Sequence, residues 1–343
     1  MTRLLGGIAA LTLGVFAAQA AAENLGHYER IDVPGPALEG NLGGNDTVRK
    51  VSVYLPPSYG RDPDRRYPVI YLLHGFTDSD ERWFGLEGEH FVNVPSAVDA
   101  AWEAGAGEVI IVMPNAFTRF WGSMYSSSVT TGNWEGYVAE DLVAHVDARY
   151  RTLAKRESRG IAGHSMGGYG ALRIGMKRPD VFSGIYAMSP CCMAPNVPDV
   201  EALTAAAAVQ TAEQVATADF GVKAMLASAA AWSPNPANPP LYYDLPLDDG
   251  RVDPDVVALW AANAPLAMVH QYIPALKEYE AIHFDAGDRD FGIVQTVHRL
   301  DAVLDAYGIE HVAEEYEGDH VNRVHERITT KLMPMFTEAL AFE

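Results

Sequence analysis

The chain has 343 residues, 48% hydrophobic and 20% charged, with a formal net charge of −20. That length suits one large α/β domain or two smaller ones, and the acidic balance argues against nucleic acid or anionic lipid as partners. Beyond the N-terminus no stretch is apolar over the length a bilayer demands, so no membrane-spanning segment is expected.

Residues 1–22 have the layout of a secretory signal peptide: Arg3, an apolar run over 4–18, then small residues with cleavage after Ala20 or Ala22. The mature chain, 23–343, is therefore expected to be secreted or periplasmic. Alternating apolar residues predict strands over 28–33 and 48–55, joined through a Gly- and Asn-rich turn at 40–45 into an antiparallel edge. The continuous apolar runs 68–75 and 108–113 suit strands buried on both faces. Helices are predicted over 96–105, capped by Ser96, and over 133–150. Strands at 158–162 and 184–189 flank a glycine-rich turn and a helix.

From 193 to 270 this alternation breaks into alanine-rich pieces and a proline-rich run, too long for a loop. The segment is expected to be a cap inserted between two strands. The alternation then resumes with a strand over 279–284, a helix over 290–307, a strand over 309–316 and a helix over 321–341. Strands and helices in turn predict a mostly parallel sheet with helices on both faces.

The two cysteines, Cys191 and Cys192, are adjacent. Their Cα atoms are about 3.8 Å apart across a trans peptide, below the usual disulfide range, so the choice lies between a strained vicinal disulfide and two free buried thiols.

Gly163-x-Ser165-x-Gly167, between an apolar run and a helix, has the form of a nucleophile elbow. Its glycines allow a sharp bend that lifts the Ser165 hydroxyl out of the sheet. A serine hydroxyl needs a base to take its proton and a carboxylate to orient that base. Both are expected after Ser165, on loops at the ends of later strands. His320 in Gly318-Asp-His320 is the candidate base; His311 falls within the predicted strand and His325 on the helix. Asp285, Asp288 and Asp290 are all candidates for the acid. The backbone N–H groups of Phe76, after His74-Gly75, and of Met166 are the candidate oxyanion hole. No His-Glu-x-x-His, Cys-x-x-Cys or P-loop pattern occurs, so the sequence implies no metal and no cofactor. Trp83, Trp121, Tyr125, Trp134, Trp232, Tyr242 and Trp260 are expected near the cleft rim or cap, most of them as core and a few as an apolar acyl pocket.

Leu72-Leu-His-Gly75, Glu140-Asp-Leu-Val-Ala-His-Val-Asp-Ala-Arg-Tyr-Arg-Thr152, the elbow segment from Gly160 to Leu172 and Gly318-Asp-His320 together resemble the esterase D family. That family includes S-formylglutathione hydrolases, feruloyl esterases and antigen 85 mycolyltransferases. The resemblance spans about 48–336 and implies an α/β-hydrolase fold. It also implies a Gly-x-x-Asp turn carrying the acid, which selects Asp290 in Gly287-Asp-Arg-Asp290.

The expected function is an exported serine esterase acting through an acyl-enzyme, with feruloyl or other aryl esters among the candidate substrates. Acyl transfer to a sugar or other alcohol is the alternative within the enzyme class, and a silent binding module on a hydrolase scaffold the alternative outside it. A cytoplasmic S-formylglutathione hydrolase is disfavoured by the leader. Small-molecule or polymer-linked esters are the expected partners, and the oligomeric state is left open.

Overall fold

The computed structural model describes residues 25–343; the expected leader, 1–22, lies outside them. Eight strands make the central sheet: β1 (His27–Pro34), β2 (Val48–Leu55), β3 (Val69–Leu73), β4 (Ile110–Pro114), β5 (Arg159–His164), β6 (Gly184–Met188), β7 (Ala281–Gly287) and β8 (Val312–Tyr316). Their order across the sheet is β1-β2-β4-β3-β5-β6-β7-β8. β1 pairs antiparallel with β2, Ile31 opposite Val51, and β2 antiparallel with β4. From β4 to β8 every neighbouring pair is parallel.

The two faces of the sheet are sorted by the period-2 alternation of side chains. In β3, Val69, Tyr71 and Leu73 join one core cluster while Ile70 and Leu72 join the other, and all five are buried. The first cluster is covered by helices α2 (Leu142–Arg149), α3 (Met166–Lys177) and α6 (Phe291–Ala306). The second is covered by α1 (Val94–Glu103) and by the C-terminal helix ending in α7 (Met333–Ala339). Apolar residues on both faces explain why these strands read as unbroken hydrophobic runs.

Several boundaries differ from the sequence expectation for identifiable reasons. α1 starts at Val94, because Asn93 and not Ser96 is the cap: the Asn93 side chain accepts the Ser96 N–H at 3.0 Å, and Pro95 occupies the first turn. The expected strand at 309–316 begins only at Val312. Gly308, at φ 63°, ends α6 in a Schellman turn, with the Ile309 N–H on the Leu304 carbonyl and the Gly308 N–H on that of Asp305. Ile309 is buried as the apolar residue closing that turn, so its hydrophobicity belongs to the helix end. The helix expected over 133–150 runs over 134–149 with a π-turn at Tyr137–Asp141, and the last helix begins at Val324 with a π-turn at Ile328–Leu332.

Between β6 and β7 the chain forms short helices together with α4 (Phe220–Trp232) and α5 (Pro254–Ala262). They bury a third cluster, including Leu226, Val256 and Trp260, onto Phe120 from the loop after β4. Phe76 and Trp121 pack against its edge, so this layer adjoins the end of the sheet that carries Ser165.

Candidate active site

β5 runs into α3 through a single residue, Ser165, held at φ 56° and ψ −115°. The bare positions 163 and 167 let the start of α3 fold back closely onto the strands around this turn. A Cβ on Gly167 would lie 1.9 Å from the Leu73 carbonyl oxygen, and one on Gly163 would lie 2.3 Å from the Gly167 carbonyl carbon. The Ser165 N–H donates to the Met188 carbonyl at 3.0 Å, and its carbonyl accepts from the Cys191 N–H at 3.1 Å and the Tyr169 N–H at 2.9 Å. The strained conformation is thus pinned by β6 and the loop that follows it.

The Ser165 Oγ lies 2.9 Å from His320 Nε2, and His320 Nδ1 lies 2.7 Å from Asp290 Oδ2. A carboxylate only accepts, so Nδ1 carries the proton, and Nε2 is left to accept from the serine hydroxyl. Asp290 occupies the N-cap position of α6 but makes no capping bond; its carboxylate turns to the imidazole instead.

The two other aspartates are engaged elsewhere. Asp285 is fully buried and accepts from Arg327 Nε and Nη2, at 2.9 and 2.7 Å, and from the Tyr186 hydroxyl at 2.7 Å. Asp288 accepts the Gly318 N–H at 2.9 Å, tying the loop of His320 to the loop of Asp290. His311 donates to the Ile309 carbonyl and contacts Asp301, and His325 accepts from the Asn93 N–H, so neither approaches Ser165.

Ser165 and His320 open onto a cleft of about 560 Å³. Met166 is the first residue of α3, so its N–H has no carbonyl within the helix to meet. A Cβ on Gly75 would lie 3.6 Å from the Ser165 Cβ, which puts the backbone between Gly75 and Phe76 beside the serine. The cleft's aromatic lining is Phe76, Phe91 and Phe220. None of the seven aromatics singled out in the sequence lines it: Trp83, Tyr125 and Trp134 are fully buried core, and Trp232 and Trp260 pack edge to face in the third cluster.

Sequence reasoning passed over three polar residues of the cleft wall. His164 donates Nε2–H to the His320 carbonyl at 2.7 Å. Burial, reinforced by the neighbouring His320, lowers its pKa to about 3. Asp78 accepts from Trp83 Nε1 and His90 Nε2, each at 3.0 Å, fixing the 78–91 wall. The signal for His164 lay inside the Gly-x-Ser-x-Gly pattern itself. Asp78 and His90 follow no spacing rule.

Sheet order and the serine-bearing turn at its centre place the chain among the α/β-hydrolases. Residues 45–327 match the model of the family described as "Putative esterase", and the chain belongs to that family. It is 39% identical over 130 residues to Esterase MT1326 of Mycobacterium tuberculosis (strain CDC 1551 / Oshkosh), covering 37% of this chain and 26% of that protein. It is 28% identical over 160 residues to the S-formylglutathione hydrolase of Rattus norvegicus, covering 42% and 52% respectively. The alignment thus spans about a quarter of the first relative's length and about half of the second's. Among solved structures, a ferulic acid esterase superposes with a TM-score of 0.65 at 21% identity, over 92% of this chain and 99% of that one, a likeness of fold.

Proposed function

We propose that the protein is a serine esterase that cleaves carboxylic esters through an acyl-enzyme. The observation that carries this reading is the unbroken hydrogen-bonded line from Ser165 Oγ through His320 to Asp290. Ser165 attacks the ester carbonyl while His320 Nε2 takes its proton. The Asp290 carboxylate stabilises the imidazolium that forms, and the N–H groups of Phe76 and Met166 receive the developing oxyanion. His320 then protonates the departing alcohol. A water activated by the same imidazole releases the acid. The His320 side chain is 37% exposed, so water reaches the acyl-enzyme, which favours hydrolysis over transfer to another alcohol.

The acyl group is aromatic in this reading. Phe76 and Phe220 meet edge to face at 5.6 Å on one side of the cleft, and Phe91 stands among its other lining residues. The esterase and hydrolase names of the relatives support the reaction class. The 193–270 segment, which supplies Phe220, acts as the cap, and the 1–22 leader directs export.

The test is labelling by a fluorophosphonate together with turnover of acetyl, long-chain acyl and feruloyl esters. Ser165→Ala is expected to abolish labelling and to lower kcat by about 10⁴ to 10⁶. Normal turnover by that variant would remove the nucleophile from the scheme. Export is checked separately by the N-terminal sequence of protein recovered outside the cytoplasm, expected to begin after Ala20 or Ala22.

A further inference from the structure

The loop after β6 holds the nucleophile's backbone from two sides. Met188 accepts the Ser165 N–H at 3.0 Å, and three residues later Cys191 donates its N–H to the Ser165 carbonyl at 3.1 Å. The same loop leans on α3, where a Cβ on Gly168 would lie 3.1 Å from the Pro190 Cα. Its course is unusual: Ser189 at φ 39° and Cys192 at φ 60° both take left-handed backbone. At its end stand the two thiols, free, with Cys191 Sγ and Cys192 Sγ 2.8 Å apart. A disulfide bond is about 2.05 Å long, so only a short approach separates these sulfurs from bonding. Cys192 is exposed, while Cys191 is partly buried against the main core.

We propose that Cys191 and Cys192 form an oxidation site for small hydroperoxides, whose closure to a vicinal disulfide re-aims the Cys191 N–H and slows acylation of Ser165. The exposed Cys192 thiolate attacks the outer oxygen of the hydroperoxide. The O–O bond breaks, an S–O bond forms, and the peroxide leaves as an alcohol, or as water from hydrogen peroxide, having taken two electrons from sulfur. Cys192 is then a sulfenic acid. The Cys191 thiol attacks that sulfur, the S–S bond forms, the S–O bond breaks, and the hydroxyl departs with the thiol proton as water. Its hydrogen-bonded contact with Cys192, together with burial, holds the Cys191 thiol well above its ordinary pKa. Cys191 is thereby suited to be the second thiol and not the first.

The consequence for the serine is geometric. Adjacent residues joined by a trans peptide have Cα atoms about 3.8 Å apart, whereas disulfides ordinarily span 4.4–6.8 Å, so ring closure must rotate the 191–192 peptide and the torsions beside it. The Cys191 N–H is the group those torsions aim. Losing its bond to Ser165 releases one restraint on the left-handed turn that presents Oγ to His320.

The slowing of Ser165 rests on the esterase reading above, whereas disulfide formation does not, and the experiment separates them. The full chain is treated with hydrogen peroxide, and intact mass and thiol titre are followed beside the rate of fluorophosphonate labelling. The expected result is loss of both titratable thiols and of the mass of two hydrogens without dimerisation, and labelling slowed by about tenfold, the size of one lost hydrogen bond. Dithiothreitol is expected to restore both. That recovery excludes oxidation of Met166, whose sulfoxide a thiol reductant leaves in place. Cys192→Ser should label at the wild-type rate and keep that rate in peroxide. Two thiols that stay titratable or proceed to sulfonic acid overturn the proposal, as does a disulfide that forms while labelling of Ser165 is unchanged.

Discussion

His164 reaches across from the end of β5 to donate its Nε2–H to the backbone carbonyl of His320 at 2.7 Å, and the two rings stand 4.7 Å apart between centroids. His164 therefore positions the loop that carries His320. His164→Phe keeps a ring but removes the donor. We expect kcat to fall roughly 5- to 30-fold with KM little changed, the effect of one buried hydrogen bond. His164→Gln, which presents an amide N–H at similar reach, should recover part of the loss. An equal loss in both variants would mean that the ring's packing, and not its bond to His320, matters.

The same histidine predicts how stability responds to acid. Burial first, and the nearby His320 second, lower its pKa from the ordinary 6.5 to about 3. Above pH 6.5 both folded and unfolded chains hold it neutral. Below that the unfolded chain takes up a proton that the folded chain refuses, so stability is lost progressively down to about pH 3. The slope from this one group approaches about 1.4 kcal/mol per pH unit. His74, also buried with its pKa lowered by burial, adds a contribution of the same sign. Asp78 acts further down: burial raises its pKa, but bonds from His90 and Trp83 outweigh that and hold it below the ordinary 3.8, so its contribution persists above 3.8 and is lost at still lower pH. Urea unfolding at pH 7, 5.5 and 4.5 should show a shallower acid slope for His164→Gln than for wild type. Parallel slopes would show that His164 takes its proton as easily folded as unfolded.

Much of this arrangement is legible in the chain itself, because local rules govern it. The buried strands announce themselves as apolar runs, and the elbow glycines mark a turn that no larger residue can make. His320 follows from its place after the last strand, whereas three aspartates follow the strand before it and only the resemblance to the esterase D family singles out Asp290. Phe220 could not be found this way: it stands on the first turn of α4, and only the packing of the segment between β6 and β7 brings it 5.6 Å from Phe76. Most of the tryptophans lie in the core, as expected, and only the few expected in an acyl pocket are missing from the cleft lining. Large aromatics bury the most surface, so Trp83 and Trp134 went to the core, and smaller phenylalanines were left to line the cleft.

Gly167 marks the closest approach of α3 to the sheet. An added methyl would meet the Leu73 backbone oxygen at 1.9 Å, and no side-chain movement can relieve a contact with a strand. Gly167→Ala should either fail to fold or lose several kcal/mol, of the order seen for severe overpacking. Gly292, exposed in the first turn of α6 with nothing within 4 Å, is the control. Gly292→Ala should gain up to about 1 kcal/mol from helix propensity. Chemical denaturation of the two variants beside wild type checks both signs.

Phe220 is 65% exposed and lines the cleft beside Phe76, ring centroids 5.6 Å apart, where an acyl group would cover it. If the acyl group of an aryl ester does so, Phe220→Ala should raise KM for feruloyl esters about three- to tenfold, the size of one aromatic contact. Acetyl esters, too small to reach it, should be turned over as before. A uniform change across the substrate series would assign Phe220 to the cap's own packing.

The three aspartates near the end of β7 separate activity from stability. Asp290 touches only the imidazole's role: Asp290→Asn keeps the size of the side chain but offers an amide where His320 Nδ1–H needs an acceptor, favouring the wrong tautomer. We expect kcat to drop about 10³- to 10⁴-fold with the unfolding midpoint nearly unchanged. Asp288→Asn retains an oxygen to accept the Gly318 N–H, so turnover should stay within a few-fold of wild type. Asp285→Asn removes the buried carboxylate facing Arg327 and leaves its guanidinium only the more exposed Glu314 at 2.8 Å, at an expected cost of about 3 kcal/mol, the lower end for a broken buried pair. The folded fraction of that variant should nonetheless react with a fluorophosphonate at the normal rate, because Asp285 binds Arg327 and Tyr186 and nothing in the line from Ser165 to Asp290. Measuring labelling rate and unfolding midpoint on the same three proteins gives a pattern that only one assignment of the acid produces. A catalytic loss in Asp285→Asn with Asp290→Asn unaffected would transfer the role to the buried residue.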